Sequence, residues 1–402
     1  MQDTPKGNRL HIALFGRRNA GKSSLINALS KQNTALVSDV PGTTTDPVYK
    51  AMEILPLGPV MLIDTAGIDD GGELGKLRVQ KTFEVLNKTD LVVLVVSGRP
   101  DRENSWEDNL IREIKQRNIP LIGVYNKADL GEEFQKVWSH DLGISLLPVS
   151  AATGLGIEEL KMKIIKEAPG DFAEAAIVGD LIDQGDLVIL VVPIDSAAPK
   201  GRLILPQVQV IRDILDGNAI SIVVKEHQLA KVFSSLKEKP KIVITDSQVF
   251  AQAAAATPHD VLLTSFSILF ARYKGDLGEL VKGIEGVKQL KPGDKVLIAE
   301  ACTHHRQADD IGRTKIPNLL CRYVGGELDF SWSSGMTYPP DLSRFKIVVH
   351  CGGCMINRRE MLYRTALAKE AGVPIVNYGV LLGFMNGILE RALLPFRKEI
   401  SE

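Results

Sequence analysis

Cysteine is scarce in this chain, with four in 402 residues. So few, so widely spaced, cannot make the disulfide framework of a small secreted domain. A surplus of either charge is also missing. Forty-eight Lys and Arg stand against 49 Asp and Glu, a net charge of −1, which offers no broad basic surface for nucleic acid and no charged tail. Aromatic residues make up 5%, few for a face that stacks bases. Long apolar runs are absent too. The longest, LVVLVV at 91–96 and LVILVVPI at 187–194, fall far short of the ~18 residues of a membrane span and have the length and β-branching of buried strands. The opening MQDTPKGNRL lacks the apolar core of a secretory leader. A cytoplasmic protein with reduced thiols is expected, with neither membrane nor nucleic acid as partner. What remains, 45% hydrophobic and 24% charged residues, is an ordinary globular composition, and the length suggests several domains.

Short apolar runs alternate with amphipathic segments from residue 10 to about 168. The runs LHIALF, GPVMLID, DLVVLVV, PLIGVYN and LLPVS each end in Gly, Asn, Asp or Ser, the grammar of βα units on a mostly parallel sheet. KEAPGDFAEA (166–175) reads as a linker, and the same grammar resumes with DLVILVVPI, QVQVIRDIL, AISIVVKE, HQLAKVFSSLKE, KIVITD and QVFAQAAAA. After helices near 265–289, the turn KPGD opens a third block with strands KVLIAEA, KIVVH and PIVNY. Helices are expected over 309–324, 357–371 and 378–393, and a loop over SWSSGMTYPPD (331–341). The expected fold is α/β in three domains, 1–170, 171–268 and 269–402, a P-loop domain followed by two smaller Rossmann-like ones.

Gly16-Arg17-Arg18-Asn19-Ala20-Gly21-Lys22-Ser23 fits G-x-x-x-x-G-K-[ST] between a strand and a helix that continues through Ser24. Its glycines let backbone amides wrap a phosphate at a helix N-terminus. Lys22 is expected to reach the β- and γ-phosphates of a nucleotide, and Ser23 to ligate Mg²⁺. Asp64-Thr65-Ala66-Gly67 ends the strand VMLID, with Asp64 holding Mg²⁺ through water and the Gly67 amide facing the γ-phosphate. Gly42-Thr43-Thr44-Thr45-Asp46 lies between them, where Thr43 or Thr44 can complete the Mg²⁺ shell. Lys22, Thr44 and Gly67 form the expected catalytic set. Asn126-Lys127-Ala128-Asp129 ends the next strand but one, and the Asp129 carboxylate can accept two hydrogen bonds from guanine that adenine cannot supply. Ser150-Ala151 follows another strand and can pack on the base. Each piece alone is weak, but five in order, each at a strand end, point to a GTPase.

Cys302-Thr303-His304-His305 follows KVLIAEA, and His350-Cys351-Gly352-Gly353-Cys354 follows KIVVH. Sites in open parallel sheets gather at the carboxyl ends of strands, so these distant segments can face one another. Three readings fit the residues: a buried or thioredoxin-like redox pair, a tetrahedral Cys₃His zinc site, and an iron–sulfur cluster on three thiolates with one iron open. Ligand chemistry alone does not separate the last two. Cys321, inside NLLCRYVGG, has the setting of a core residue.

GxxNAGKSS and GTTxD make residues 10–168 resemble the Era-like, tRNA-modification type of G domain. With the C-x-H…H-C-x-x-C pattern behind it, the whole chain resembles the HydF family, the maturation GTPases of [FeFe]-hydrogenases. The resemblance implies a [4Fe–4S] cluster on Cys302, Cys351 and Cys354, with a labile fourth position contested by His304, His350, Asp309 or a non-protein ligand. It implies a homodimer that takes a transient di-iron precursor from two radical-SAM enzymes and delivers it to apo-[FeFe]-hydrogenase. GTP and GDP would switch loops near 31–46 and 65–80. Ile68 stands where other GTPases carry a water-orienting Gln, and Asn19 matches relatives that bind K⁺ beside the phosphates, so slow, K⁺-stimulated hydrolysis is implied. The alternative is a tRNA- or ribosome-associated GTPase with a structural zinc domain.

Overall fold

The structure, a computed structural model, describes residues 4–31, 47–67, 81–100, 106–131, 133–170, 176–193, 203–301, 311–335, 338–339 and 341–400. The chain divides into two compact units, 1–174 and 175–402. The first holds a six-stranded sheet in the order β2-β3-β1-β4-β5-β6. Its strands are β1 (Leu10–Phe15), β2 (Val48–Ile54), β3 (Gly58–Asp64), β4 (Leu91–Val96), β5 (Leu121–Asn126) and β6 (Leu146–Val149). Only β2 runs antiparallel to its neighbour. β1 and β4 are buried along their whole length, because helices cover both faces of the sheet. Alternate residues of these strands therefore feed two separate cores, one around Leu25 and Leu160, the other around Leu110 and Trp138.

The second unit carries two four-stranded, fully parallel sheets, β10-β9-β7-β8 and β12-β11-β13-β14. The first consists of β7 (Leu187–Val191), β8 (Ile220–Val224), β9 (Ile242–Thr245) and β10 (Leu262–Ser265). The second consists of β11 (Lys295–Glu300), β12 (Asp329–Ser334), β13 (Ile347–His350) and β14 (Ile375–Asn377). One continuous hydrophobic core runs through both, from Ile177 to Phe396. The helix Phe266–Lys274 joins them, with Phe266, Ile268, Leu269, Phe270 and Ala271 all buried. No helix among the described residues is long and apolar enough to cross a membrane.

Three corrections concern local structure. The segment from 331, expected as a loop, opens inside β12, whose six residues pair in register with β11 from Lys295↔Asp329 to Glu300↔Ser334. Strand β12 lies at the sheet edge and is mostly half-exposed, so backbone pairing rather than an apolar run defines it. The helix expected over 378–393 breaks after Met385, where Gly387 takes φ +68°, and resumes at Leu389–Ala392. Within 309–324, the described part starts as a π-helical turn, Ile311–Lys315, before the α-helix Ile316–Val324.

Candidate functional site

The phosphate loop leaves β1 and enters the helix Lys22–Lys31. Lys22 is buried, its ammonium donating to the carbonyls of Gly16 (2.9 Å) and Arg17 (3.0 Å). These bonds hold the lysine across the mouth of the loop, where a phosphate can take it over. Ser23 Oγ donates to Asp64 Oδ2 at 2.5 Å, bringing the two expected Mg²⁺ residues together. The other oxygen, Asp64 Oδ1, is buried and has no hydrogen-bond partner among the described residues. Burial raises the carboxyl above its ordinary range, opposed by the Ser23 hydrogen bond and the Lys22 charge. An orphaned buried carboxylate oxygen beside a serine hydroxyl fits a bound Mg²⁺. Gly67 lies so close to the phosphate loop that a Cβ there would sit 2.7 Å from Arg18 Cα.

Asn126 joins three motifs. It is buried at the end of β5, its Nδ2 donating to the Ala20 carbonyl (2.9 Å) and its Oδ1 accepting from the Ala151 amide (3.2 Å). Gly21, at φ +91°, leaves room for it, since a Cβ would lie 2.2 Å from Asn126 Nδ2. The buried Ser150 accepts from the Thr153 amide at 3.2 Å and shapes the adjoining loop. Lys127 turns through φ +65°, and Asp129 stands exposed in the short turn Ala128–Leu130. Asn19 also takes a positive φ, +60°, at the tip of the phosphate loop, and Ser24 is exposed. Thr43 and Thr44, with most of the expected switch segments, lie outside the described residues.

Sequence reasoning missed the anchor of this loop. Arg17 donates through Nε to Glu107 Oε1 (2.6 Å) and through Nη2 to Oε2 (3.2 Å), and stacks over Trp138 at 5.9 Å. Glu107 is buried in the helix Trp106–Gln116 on the same face as Leu110, Ile111 and Ile114. A carboxylate at i of an i, i+3, i+4, i+7 apolar stripe is the signal that could have found it.

The second candidate site lies at the carboxyl ends of β11 and β13, which are paired neighbours. The Cys351 amide donates to the Ala299 carbonyl (2.9 Å), and Cys351 Sγ accepts from the Ala301 amide (3.1 Å) and the Gly353 amide (3.5 Å). The residue after Ala301 is Cys302; Cys302, His304 and Asp309 lie outside the described residues. Among the described residues, no three His, Cys, Asp or Glu side chains converge as a metal site. The helix expected over 357–371 begins at Arg358 with its Glu360 amide capped by Asn357. The amides on the Cys351 sulfur come from Ala301 and Gly353.

Burial pushes the Cys351 thiol up to about 11, and the Cys354 thiol upward as well. Amide donors on sulfur suit a metal-bound thiolate, so the residues present fit a thiolate-ligated group. His350 is fully buried, its Nδ1 2.7 Å from the Cys351 carbonyl and its Nε2 3.2 Å from Arg364 Nη1. Arg364 can only donate, so Nε2 accepts and Nδ1 carries the proton. Burial and the Arg364 charge lower this imidazole to about 3. Both nitrogens are engaged, so ligation by His350 would require breaking one of these bonds. Cys321 packs against the core.

Three family models match in order along the chain. The 50S ribosome-binding GTPase model matches residues 11–127, the hydrogen maturase F dimerization domain 177–275, and the hydrogen maturase F tetramerization domain 278–395. The tRNA modification GTPase MnmE of Prochlorococcus marinus is 40% identical over 164 residues, 39% of this chain and 34% of that protein. MnmE of a Thermoanaerobacter species is 42% identical over 160 residues, with the same shares. The chain spans about a third of the length of these curated relatives. Among solved structures, Aquifex aeolicus Era bound to GDP and aluminium fluoride is similar at 20% identity and a TM-score of 0.33, covering 54% of this chain and 93% of that one. The G domain of the T. maritima FeoB iron transporter is similar at 25% identity and a TM-score of 0.31, covering 40% and 98%. The two hydrogen maturase F models together take up more than half of the 402 residues and follow a GTPase domain; the chain belongs to the hydrogen maturase F (HydF) family.

Proposed function

We propose that this hydrogenase-maturation GTPase is an iron–sulfur scaffold or carrier. It holds a [4Fe–4S] cluster on Cys302, Cys351 and Cys354 and passes a di-iron precursor from two radical-SAM enzymes to apo-[FeFe]-hydrogenase. The observation that carries the reading is the Cys351 loop, set beside the end of β11 with two backbone amides on its sulfur. Bound there, the cluster would supply an iron with one exchangeable position, which suits cargo that must both arrive and leave. The chain's own contribution is to present the thiolates and to donate amides to the Cys351 sulfur. A homodimer is part of the reading. Strand β8 closes one edge of its sheet with Ile220 55% and Val223 44% exposed, inside the segment matched by the dimerization model.

Anaerobic purification followed by iron, sulfide and zinc analysis tests this. Stoichiometric iron and sulfide are expected. Zinc without iron, in protein made with cluster assembly intact, would replace the scaffold with the tRNA- or ribosome-associated reading.

For the G domain, the proposal is a switch with slow intrinsic hydrolysis. Lys22 and the Gly67 amide face the γ-phosphate, Ser23 and Asp64 hold Mg²⁺, and Asn19 helps to hold K⁺, which would add positive charge beside the phosphates. Exchanging Na⁺ for K⁺ is expected to raise GTP turnover by up to about 10²–10³-fold, by analogy with one electrostatic stabiliser. Asn19→Ala should flatten that response. Equal rates in the two salts would remove K⁺ from the site.

A further inference from the structure

The helix Phe266–Lys274 ends on a residue that neither site reading assigns. Lys274 is 1% exposed. Its ammonium donates to the carbonyls of Gly353 (3.3 Å), Cys354 (3.0 Å) and Ile356 (2.7 Å). An ammonium has three donors, and these carbonyls, all in the cysteine loop or just beyond it, engage them.

The loop answers in kind. Arg358 Nη1 donates to the Tyr273 carbonyl at 2.8 Å, with those of Arg272 and Gly275 at 3.4 and 3.5 Å. These are carbonyls a helix end leaves without partners. Two cations thus lock the helix terminus and the loop to each other in opposite directions. The same turn is anchored from outside, because Arg272 pairs with Asp180 and with Glu399.

Charge adds a second observation. A buried ammonium is costly unless its charge is compensated, and among the described residues no carboxylate pairs with Lys274. Carbonyls accept its hydrogens but do not cancel its charge. The groups facing it that can carry the opposite charge are the thiols of Cys354 and Cys351.

We infer that Lys274 is a positioning residue for the thiolate site: it fixes the backbone from which Cys351 and Cys354 project, and sets a positive charge beside them. The inference rests on the iron–sulfur reading. A cation there favours the more negative, reduced state of a bound cluster, so its removal lowers the reduction potential.

The test uses the full chain carrying Lys274→Met, which keeps bulk and removes charge and donors. Metal-free protein is titrated with cobalt(II) and followed by thiolate-to-cobalt absorption. Affinity is expected to fall about 10–100-fold, the usual loss when a partner behind a metal ligand is removed, with GTP hydrolysis unchanged. After reconstitution with iron and sulfide, the potential of the variant should be more negative than that of the wild type, and Lys274→Arg should move both readouts back. Cobalt affinity and potential equal to wild type would overturn the inference. If Lys274→Met does not fold, Lys274→Gln carries the same potential measurement, and an unshifted value overturns it equally. A wild-type protein that takes up neither cobalt nor iron overturns the iron–sulfur reading itself, and the inference with it.

Discussion

Replacing Asp129 by asparagine is expected to lower GTP affinity about 10²–10⁴-fold while leaving the fold intact. The carboxylate stands exposed in the turn Ala128–Leu130, directly after the buried Asn126 that holds this loop to the phosphate loop and to Ala151. There it can accept from both guanine N1–H and the N2 amino group. A hydrogen bond to a charged group contributes about 1.5–3 kcal/mol, and leaving the guanine amino group without an acceptor costs about 1–3 kcal/mol more, which together give the stated range in affinity. The asparagine amide turns one acceptor into a donor that faces the guanine amino group. Xanthine carries a carbonyl in that place, so XTP should gain where GTP loses. Because Asp129 is exposed, thermal stability should change by less than about 0.5 kcal/mol. Competition against a fluorescent guanine nucleotide reads the effect. Unchanged GTP affinity would take Asp129 out of the base site.

Most of this organisation was open to sequence reading because buried parallel strands announce themselves. β1, β4 and β13 are buried at every residue, and each appears as an unbroken apolar run. The strands that the runs omit are β2, β10 and β12, and all three lie at sheet edges. Strands β2 and β12 are largely half-exposed, and β10 runs without a break into the apolar helix Phe266–Lys274, which hides its end. Hydropathy is blind to strands whose existence depends on a neighbour's hydrogen bonds. The neighbouring positions of β11 and β13 follow a topological rule. Carboxyl ends of parallel strands share one edge of the sheet, and β11 pairs with β13.

What sequence could not show is which ordinary-looking charges are buried. Arg272 and Lys274 at the end of FSILFARYK read as cations complementing a helix dipole in solvent. Arg272 instead bridges Asp180 and Glu399, 92 and 127 residues away, and Lys274 reaches a loop about 80 residues on. Arg364 is similar. It is 1% exposed, clasping Glu360, His350 and the Gly335 carbonyl. Contacts of such long range leave no local periodicity, so only the assembled fold reveals them.

Serine in place of any one of Cys302, Cys351 or Cys354 is expected to cut bound iron and sulfide at least about tenfold, while Cys321→Ser leaves them unchanged. Serine keeps the size of the side chain but replaces a soft thiolate with a hard hydroxyl that does not hold a cluster in water. Removing a partner that merely supports a ligand already costs about 10–100-fold in affinity, so loss of a direct ligand costs no less. The Cys351 sulfur accepts amides from Ala301 and Gly353, and backbone amides also favour the Cys354 thiolate, so both positions should be sensitive. Cys321 is the internal control: it sits in the helix Ile316–Val324, packed against the hydrophobic core, and shares the oxidation chemistry of the others outside the cysteine loop. The pattern of four variants separates the readings. Iron lost in three and kept in one fits the three-thiolate site. Loss in Cys351→Ser and Cys354→Ser alone would mean that the neighbouring strand brings no thiolate, and that the third ligand must be sought among residues other than Cys302.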